Sequence, residues 1–230
     1  MIMQPEQLTG KTTSHLKETA VGAKNFLVHP DVVDDLLALH QAAQHAGFNL
    51  HIASGFRDFA RQQTIWNNKM AGKRAILDTN NQPIDHESLS EEEKIFAILR
   101  WSALPGASRH HWGCEFDVYD RTALPPSTQL QLEPWEYFTG HQADFYQWLQ
   151  QHLTEFGFFF PYARDLGGVA VEPWHISHIQ TAQQCQQQLT PDLLQQQWFS
   201  EHILGKEFIL QQLDKIYARY IVNISKGTIR

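Results

Sequence analysis

Two short stretches of this chain carry the residue types that do chemistry on a bound metal. In Ser108-Arg109-His110-His111-Trp112-Gly113-Cys114-Glu115-Phe116-Asp117, a histidine and an aspartate stand seven residues apart around a glycine. Glu172-Pro173-Trp174-His175 follows much later. A His, an Asp and a second His can give zinc three nitrogen and oxygen ligands and leave the fourth place to water. The pKa of such a water drops from about 15.7 to roughly 7. A carboxylate outside the ligand set can take its proton and later pass it to a leaving amine. Glu172 is placed for this work. The metal polarises a carbonyl, and a positive side chain helps hold the oxyanion that develops. His111 rivals His110 as a ligand, and His178 rivals His175. The other histidines of the 13 share no spacing and read as surface or core residues.

These residues need elements to hold them. A strand over 114–119 puts Glu115, Asp117 and Tyr119 on one face, and Cys114, Phe116 and Val118 on the other. His110 precedes Gly113, whose conformational freedom suits a reversal that brings the ring beside Asp117. Glu172 and His175 would point to opposite faces of a regular strand, and Pro173 blocks an ordinary ladder. If both serve one site, the chain must turn or bulge at Pro173-Trp174.

Pro30 opens a helix with an apolar stripe through Val32, Val33, Leu36, Leu37, Leu39, Ala42 and Ala43, stopped at Gly47. Residues 49–54 alternate like a strand and lead into Ser54-Gly55-Phe56-Arg57-Asp58. A helix follows over 59–70, then a polar loop over 73–89. Ser90 and Glu93 form a capping-box signature for a helix ending near Leu104-Pro105-Gly106. Residues 121–135 read as a proline-rich loop. An amphipathic helix over 141–156 ends at Gly157, with a strand after it over 158–162. Residues 15–20 read as a weak helix, 180–219 as helical, and 220–224 as a last strand. The pattern predicts one α+β domain over 1–230, with helices flanking a small antiparallel sheet that carries the site. Its core spans about 25–180, and a helical C-terminal extension covers about 181–230.

Composition agrees with a globular protein: 42% of residues are hydrophobic and 19% charged, with 7 Trp and 14 Phe for an aromatic core. The formal charge of -7 argues against nucleic acid as a partner and leaves peptides or small molecules. Two cysteines exclude a disulfide framework, and Cys114 reads as a buried thiol. No stretch approaches 18 apolar residues, so no membrane span is expected. The N-terminus lacks the pattern of a secretory signal, and a cytoplasmic location is expected.

Taken together, Ser108-x-His110-x-x-Gly113-x-x-x-Asp117 and Glu172-x-x-His175 resemble the VanY-like D-alanyl-D-alanine carboxypeptidases. These zinc peptidases share their site geometry with hedgehog and certain cell-wall endopeptidases. Ser54-Gly55-Phe56-Arg57, with Gln62 five residues on, is similar to that family's Ser-Gly-Tyr-Arg segment. The motifs occur in the family's order over about residues 48–180. The resemblance implies a hedgehog/DD-peptidase-like fold and a peptidoglycan-derived peptide substrate. It makes His110, Asp117 and His175 the zinc ligands and Glu172 the general base and acid. Arg57 would stabilise the oxyanion or grip the substrate, and Gln62 and Ser108 would position the peptide.

Plainer roles stand beside these: a salt bridge to Asp58 for Arg57, helix polarity for Gln62, and a local turn bond for Ser108. Two positions depart from the family. Phe56 replaces a tyrosine, and Glu115 stands where a small residue is usual. If Glu115 faces the cleft with Asp117, it would influence which peptides are accepted. The expected activity is removal of a C-terminal D-alanine. A cell-wall endopeptidase of the same chemistry, a non-catalytic peptide-binding module and a structural zinc domain are the alternatives.

Overall fold

The structure, a computed structural model, describes residues 2–79 and 81–227. Its first strands form a hairpin, β1 (Lys17–Val21) and β2 (Lys24–Val28), turning at Gly22 with φ 59°. This corrects the helix expected over 15–20. Thr19 and Val21 are buried while Lys17, Glu18 and Ala20 are exposed, which is strand periodicity.

A short 3-10 turn, Pro30–Val32, leads into α1 (Val33–His45), which buries Val33, Leu36, Leu39 and Ala43. Strand β3 (Leu50–Ser54) follows, then α2 (Phe59–Met70). Asp58 caps α2 by accepting the Arg61 N–H at 2.6 Å. The polar loop contains a small ladder between Ile76–Leu77 and Pro83–Ile84. The Ser90/Glu93 capping box opens α3 (Glu91–Leu99), which stops short of Leu104.

Next come β4 (Glu115–Asp120), α4 (Ala143–His152), β5 (Phe158–Phe159) and β6 (His175–His178). The tail adds α5 (Ile179–Gln188), α6 (Pro191–Gln197) and α7 (Lys206–Gln211).

The four-stranded sheet has the order β3-β4-β6-β5, and every neighbouring pair is antiparallel. Strand β4 therefore lies inside the sheet, with β3 on one side and β6 on the other. Its Phe116 and Val118 and the Ile176 of β6 are fully buried, in one core with Leu36, Phe145 and Leu149. This apolar face fixes the register, because a one-residue slip would turn Asp117 into the core. The result is the α+β architecture with a small antiparallel sheet that the sequence predicts.

The C-terminal elements brace the site's supports. Trp198 donates its indole N–H to the Pro105 carbonyl at 2.7 Å, and Trp66 of α2 donates to Leu204 at 2.9 Å. No strand forms over 220–224. Residues Tyr217–Ile221 make a wide helical turn that buries Tyr220 and Ile221, Tyr220 packing beside Phe96. A short apolar run does not distinguish strand from buried helix, and packing decided it. Cys114 and Cys185 are buried free thiols. Among the described residues no helix is long and apolar enough to cross a membrane.

Candidate metal centre and substrate cleft

Sheet register brings the site together. Asp117 on β4 stands directly opposite His175 on β6, and Glu115 stands opposite Ser177. Directly opposed residues of an antiparallel pair share a face. On its other side Asp117 pairs with Ser54 of β3, after a register shift between Ile52 and Ser54.

His110 arrives from a 3-10 turn, Arg109–Trp112, that ends at Gly113 with φ 67°. That left-handed backbone favours glycine and reverses the chain into β4. Glu172 comes to the same place because the chain turns at Pro173-Trp174, closed by the His175 N–H on the Glu172 carbonyl at 3.2 Å. This is the turn the spacing requires.

One nitrogen of each ligand-type histidine is committed. His110 Nδ1 lies 3.0 Å from the Gly55 carbonyl, which can only accept, so Nδ1 carries the proton and Nε2 is left free. Nε2 lies 3.5 Å from Asp117 Oδ2. His175 Nε2 lies 2.6 Å from Glu115 Oε2, so its Nδ1 faces Asp117 Oδ1 at 3.2 Å and Glu172 Oε2 at 3.4 Å. Potential ligand atoms of His110, Asp117 and His175 all lie within 4.8 Å of one another, and all three residues are buried. Asp117 Oδ1 is a buried oxygen with no hydrogen-bond donor among the described residues. Two ligands about 2.0–2.2 Å from a tetrahedral ion stand roughly 3.3 Å apart. The spacing, the free nitrogens and the orphaned oxygen fit a zinc-sized cation.

The electrostatics separate the two histidines. Burial drives the His110 pKa down to about 3, which keeps its ring neutral, as a ligand must be. Burial also disfavours charge on His175, but the surrounding carboxylates of Asp117, Glu115 and Glu172 outweigh it and raise its pKa well above the usual value, so a cation at Nδ1 would have to displace a proton. Burial raises the Glu172 carboxyl, against the lowering effect of His175 and Arg57.

The rival histidines are occupied elsewhere. His111 Nδ1 donates to the Arg57 carbonyl at 2.5 Å, and its Nε2 accepts the Gly106 N–H at 3.1 Å. His178 Nε2 meets Asp35 at 2.9 Å, and its Nδ1 meets the Thr181 hydroxyl at 3.0 Å.

Arg57 and Ser108 line a cleft of about 610 Å³ that also reaches His110, Asp117, Glu172 and His175. Arg57 donates to Gln62 Oε1 at 3.0 Å and to Ser54 Oγ at 3.1 Å. Asp58 is engaged as the α2 cap, so the structure gives Arg57 no salt bridge to it. Gln62 is fully buried, and its amide nitrogen donates to the Ala103 carbonyl at 2.7 Å. Gln62 does not line the cleft, so it would position a peptide only through Arg57.

Glu115 does not face the cleft either, which corrects the substrate-selecting role considered for it. It is fully buried, and it pairs with Arg109 Nη2 at 2.6 Å and accepts the Ser177 hydroxyl at 2.7 Å. Burial alone would raise its carboxyl, but Arg109 and His175 more than offset this and bring the pKa to about 2. A charged Glu115 holds the back of His175, as outer carboxylates do for metal-binding histidines.

Sequence reasoning missed Tyr162, whose ring meets the His175 ring edge-on at 5.1 Å and lines the cleft. It also missed the Arg109–Glu115 pair. The signal for that pair was two opposite charges inside one motif that otherwise builds a buried strand.

Comparison with known proteins gives the family and the fold. A family model described as VanY, D-alanyl-D-alanine carboxypeptidase, matches residues 25–181. An uncharacterised protein of Haemophilus influenzae is 40% identical over 122 residues, covering 52% of this chain and 93% of that protein. A D-alanyl-D-alanine carboxypeptidase of Enterococcus faecalis is 29% identical over 144 residues, 61% of this chain and 44% of that protein. The solved structure of VanYB in complex with D-alanine-D-alanine shares the fold with a TM-score of 0.51 at 22% identity, over 81% of this chain and 89% of that one.

Proposed function

Because the chain belongs to the VanY family of D-alanyl-D-alanine carboxypeptidases, a family of peptidases, we propose that it is a zinc-dependent carboxypeptidase. Its substrates are peptidoglycan-type peptides, from which it removes the C-terminal D-alanine. The observation that carries this reading is one cluster: His110, Asp117 and His175 within 4.8 Å, and Glu172 Oε2 3.4 Å from the His175 nitrogen that faces it.

His110 Nε2, His175 Nδ1 and an Asp117 oxygen would hold the ion. Bound zinc supplies a polarised water and an electrophilic contact for the scissile carbonyl. Glu172 would take a proton from an attacking water and deliver it to the departing D-alanine amine. Its raised pKa suits a group that must hold a proton between the two steps. Arg57 spends two of its five N–H donors on Gln62 and Ser54, and those that remain meet the oxyanion or a substrate carbonyl.

The test is mass spectrometry of products from stem peptides ending in D-Ala-D-Ala or in diaminopimelate-D-Ala. The expected product is free D-alanine and a peptide shorter by one residue. Cleavage inside the stem, with no D-alanine released, would replace this reading by an endopeptidase.

A further inference from the structure

A second cavity, of about 350 Å³, is built where β5, α5 and the chain over 222–227 meet. The C-terminal segment is anchored there. The Ser225 N–H donates to the Pro161 carbonyl at 2.8 Å, and Asn223 Nδ2 donates to the Leu166 carbonyl at 2.9 Å. Gly227 lies so close to Phe159 and Ile179 that an added Cβ would stand 2.8–2.9 Å from their side chains. Phe159, Ile179, Val222 and Ile224 give the cavity apolar walls. Its size falls within the range of small-molecule sites, about 300–1,000 Å³.

The polar part of the lining consists of hydrogen-bond donors. Arg109 lines the cavity with a residue only 4% exposed. Its Nη1 donates to Gln186 Oε1 at 2.6 Å, and its Nη2 donates to the Ser177 hydroxyl at 3.2 Å and pairs with Glu115 at 2.6 Å. Its Nε is buried and has no acceptor among the described residues. Ser225 Oγ is also buried without a partner among them. A buried N–H that has left water without gaining an acceptor is costly. Gln186 uses its carbonyl oxygen on Arg109, so its amide nitrogen is left to donate. Glu115 balances the charge of Arg109, but the exposed Lys226 adds a second cation to the lining, and none of the lining residues is acidic. Water would answer the hydrogen bonds alone. It would leave the positive charge and the four apolar side chains unmatched.

We propose that this cavity is a second binding site, for a small monocarboxylate with a short aliphatic chain. The carboxylate accepts from Arg109 Nε and the Ser225 hydroxyl, with Lys226 as its counter-charge. The chain lies among Phe159, Ile179, Val222 and Ile224. Arg109 also lines the substrate cleft, so the two cavities share one wall residue.

The test is calorimetry on zinc-loaded full-length protein with hexanoate, hexanamide and acetate as probes. Hexanoate is expected to bind about tenfold more tightly than hexanamide, which has the chain without the charge. It is expected to bind at least about tenfold more tightly than acetate, which has the charge without the chain. Ser225→Ala combined with Lys226→Met removes one donor and the counter-charge, and should weaken hexanoate about tenfold. Ile224→Trp fills the cavity and should abolish binding. Thermal unfolding and zinc content check that each variant is folded, and if Ile224→Trp is not, the double variant decides. Hexanoate held by the metal or the substrate cleft would bind the double variant undiminished, and that result overturns the site. Equal affinity for hexanoate and hexanamide, or no binding of hexanoate to the wild type, overturns it as well.

Discussion

Glu115 Oε2 lies 2.6 Å from His175 Nε2, the ring nitrogen that does not face Asp117. The carboxylate commits that nitrogen to a proton and leaves Nδ1 for the metal. Glu115→Gln keeps the shape but loses the charge. It is expected to weaken zinc binding by about 10- to 100-fold, measured by competition with a coloured chelator. An unchanged affinity would show that the His175 ring is oriented by other contacts.

Arg109 and Glu115 form a fully buried ion pair at 2.6 Å. Such pairs add little net stability, but removing one partner strands the other charge away from water. Arg109→Met is expected to cost about 3–5 kcal/mol in denaturant unfolding. Arg109→Met combined with Glu115→Leu should recover most of that loss while zinc affinity stays low. Equal stability of Arg109→Met and wild type would contradict the pairing.

Gln62 connects the Arg57 guanidinium to the Ala103 carbonyl and does not line the cleft. A hydrogen bond to a charged group contributes about 1.5–3 kcal/mol. Gln62→Leu is expected to lower kcat/KM by roughly 10- to 100-fold, carried by kcat, with zinc content unchanged. A full rate in this variant would show that Arg57 holds its position without Gln62.

Acid should destabilise the fold through histidines remote from the candidate metal centre. His15 and His29 are buried with ring centroids 6.2 Å apart, and burial lowers both pKa values, that of His15 to about 4. An unfolded histidine titrates near about 6.5. Between those values the unfolded chain binds more protons than the native one. The contribution of His15 is therefore complete above about pH 6.5 and is lost as pH falls toward 4. Urea midpoints should decline across that window, and His15→Leu should flatten the decline. An unaltered slope would place the acid sensitivity elsewhere.

Local signals were readable where one element contains all its reasons. The Ser90/Glu93 box marks a helix start in the sequence and in the structure. The turn at Pro173-Trp174 follows from spacing and from proline's missing donor. The hairpin of Lys17–Val21 and Lys24–Val28 was masked by short, mostly polar strands, though Thr19 and Val21 already alternate. The direction of Glu115 depends on pairing with Ser177, which is 62 residues away, and that register is written nowhere near Glu115.

In the proposed function, His110, Asp117 and His175 would hold one zinc ion, with Glu172 as base and acid. Its most direct test measures zinc content and D-alanine release together, in wild type and Glu172→Gln. About one zinc per chain is expected in both proteins, with a loss of turnover on the order of 10²- to 10⁴-fold in the variant. A wild type that binds no zinc, or a Glu172→Gln protein that turns over near the wild-type rate, would contradict it.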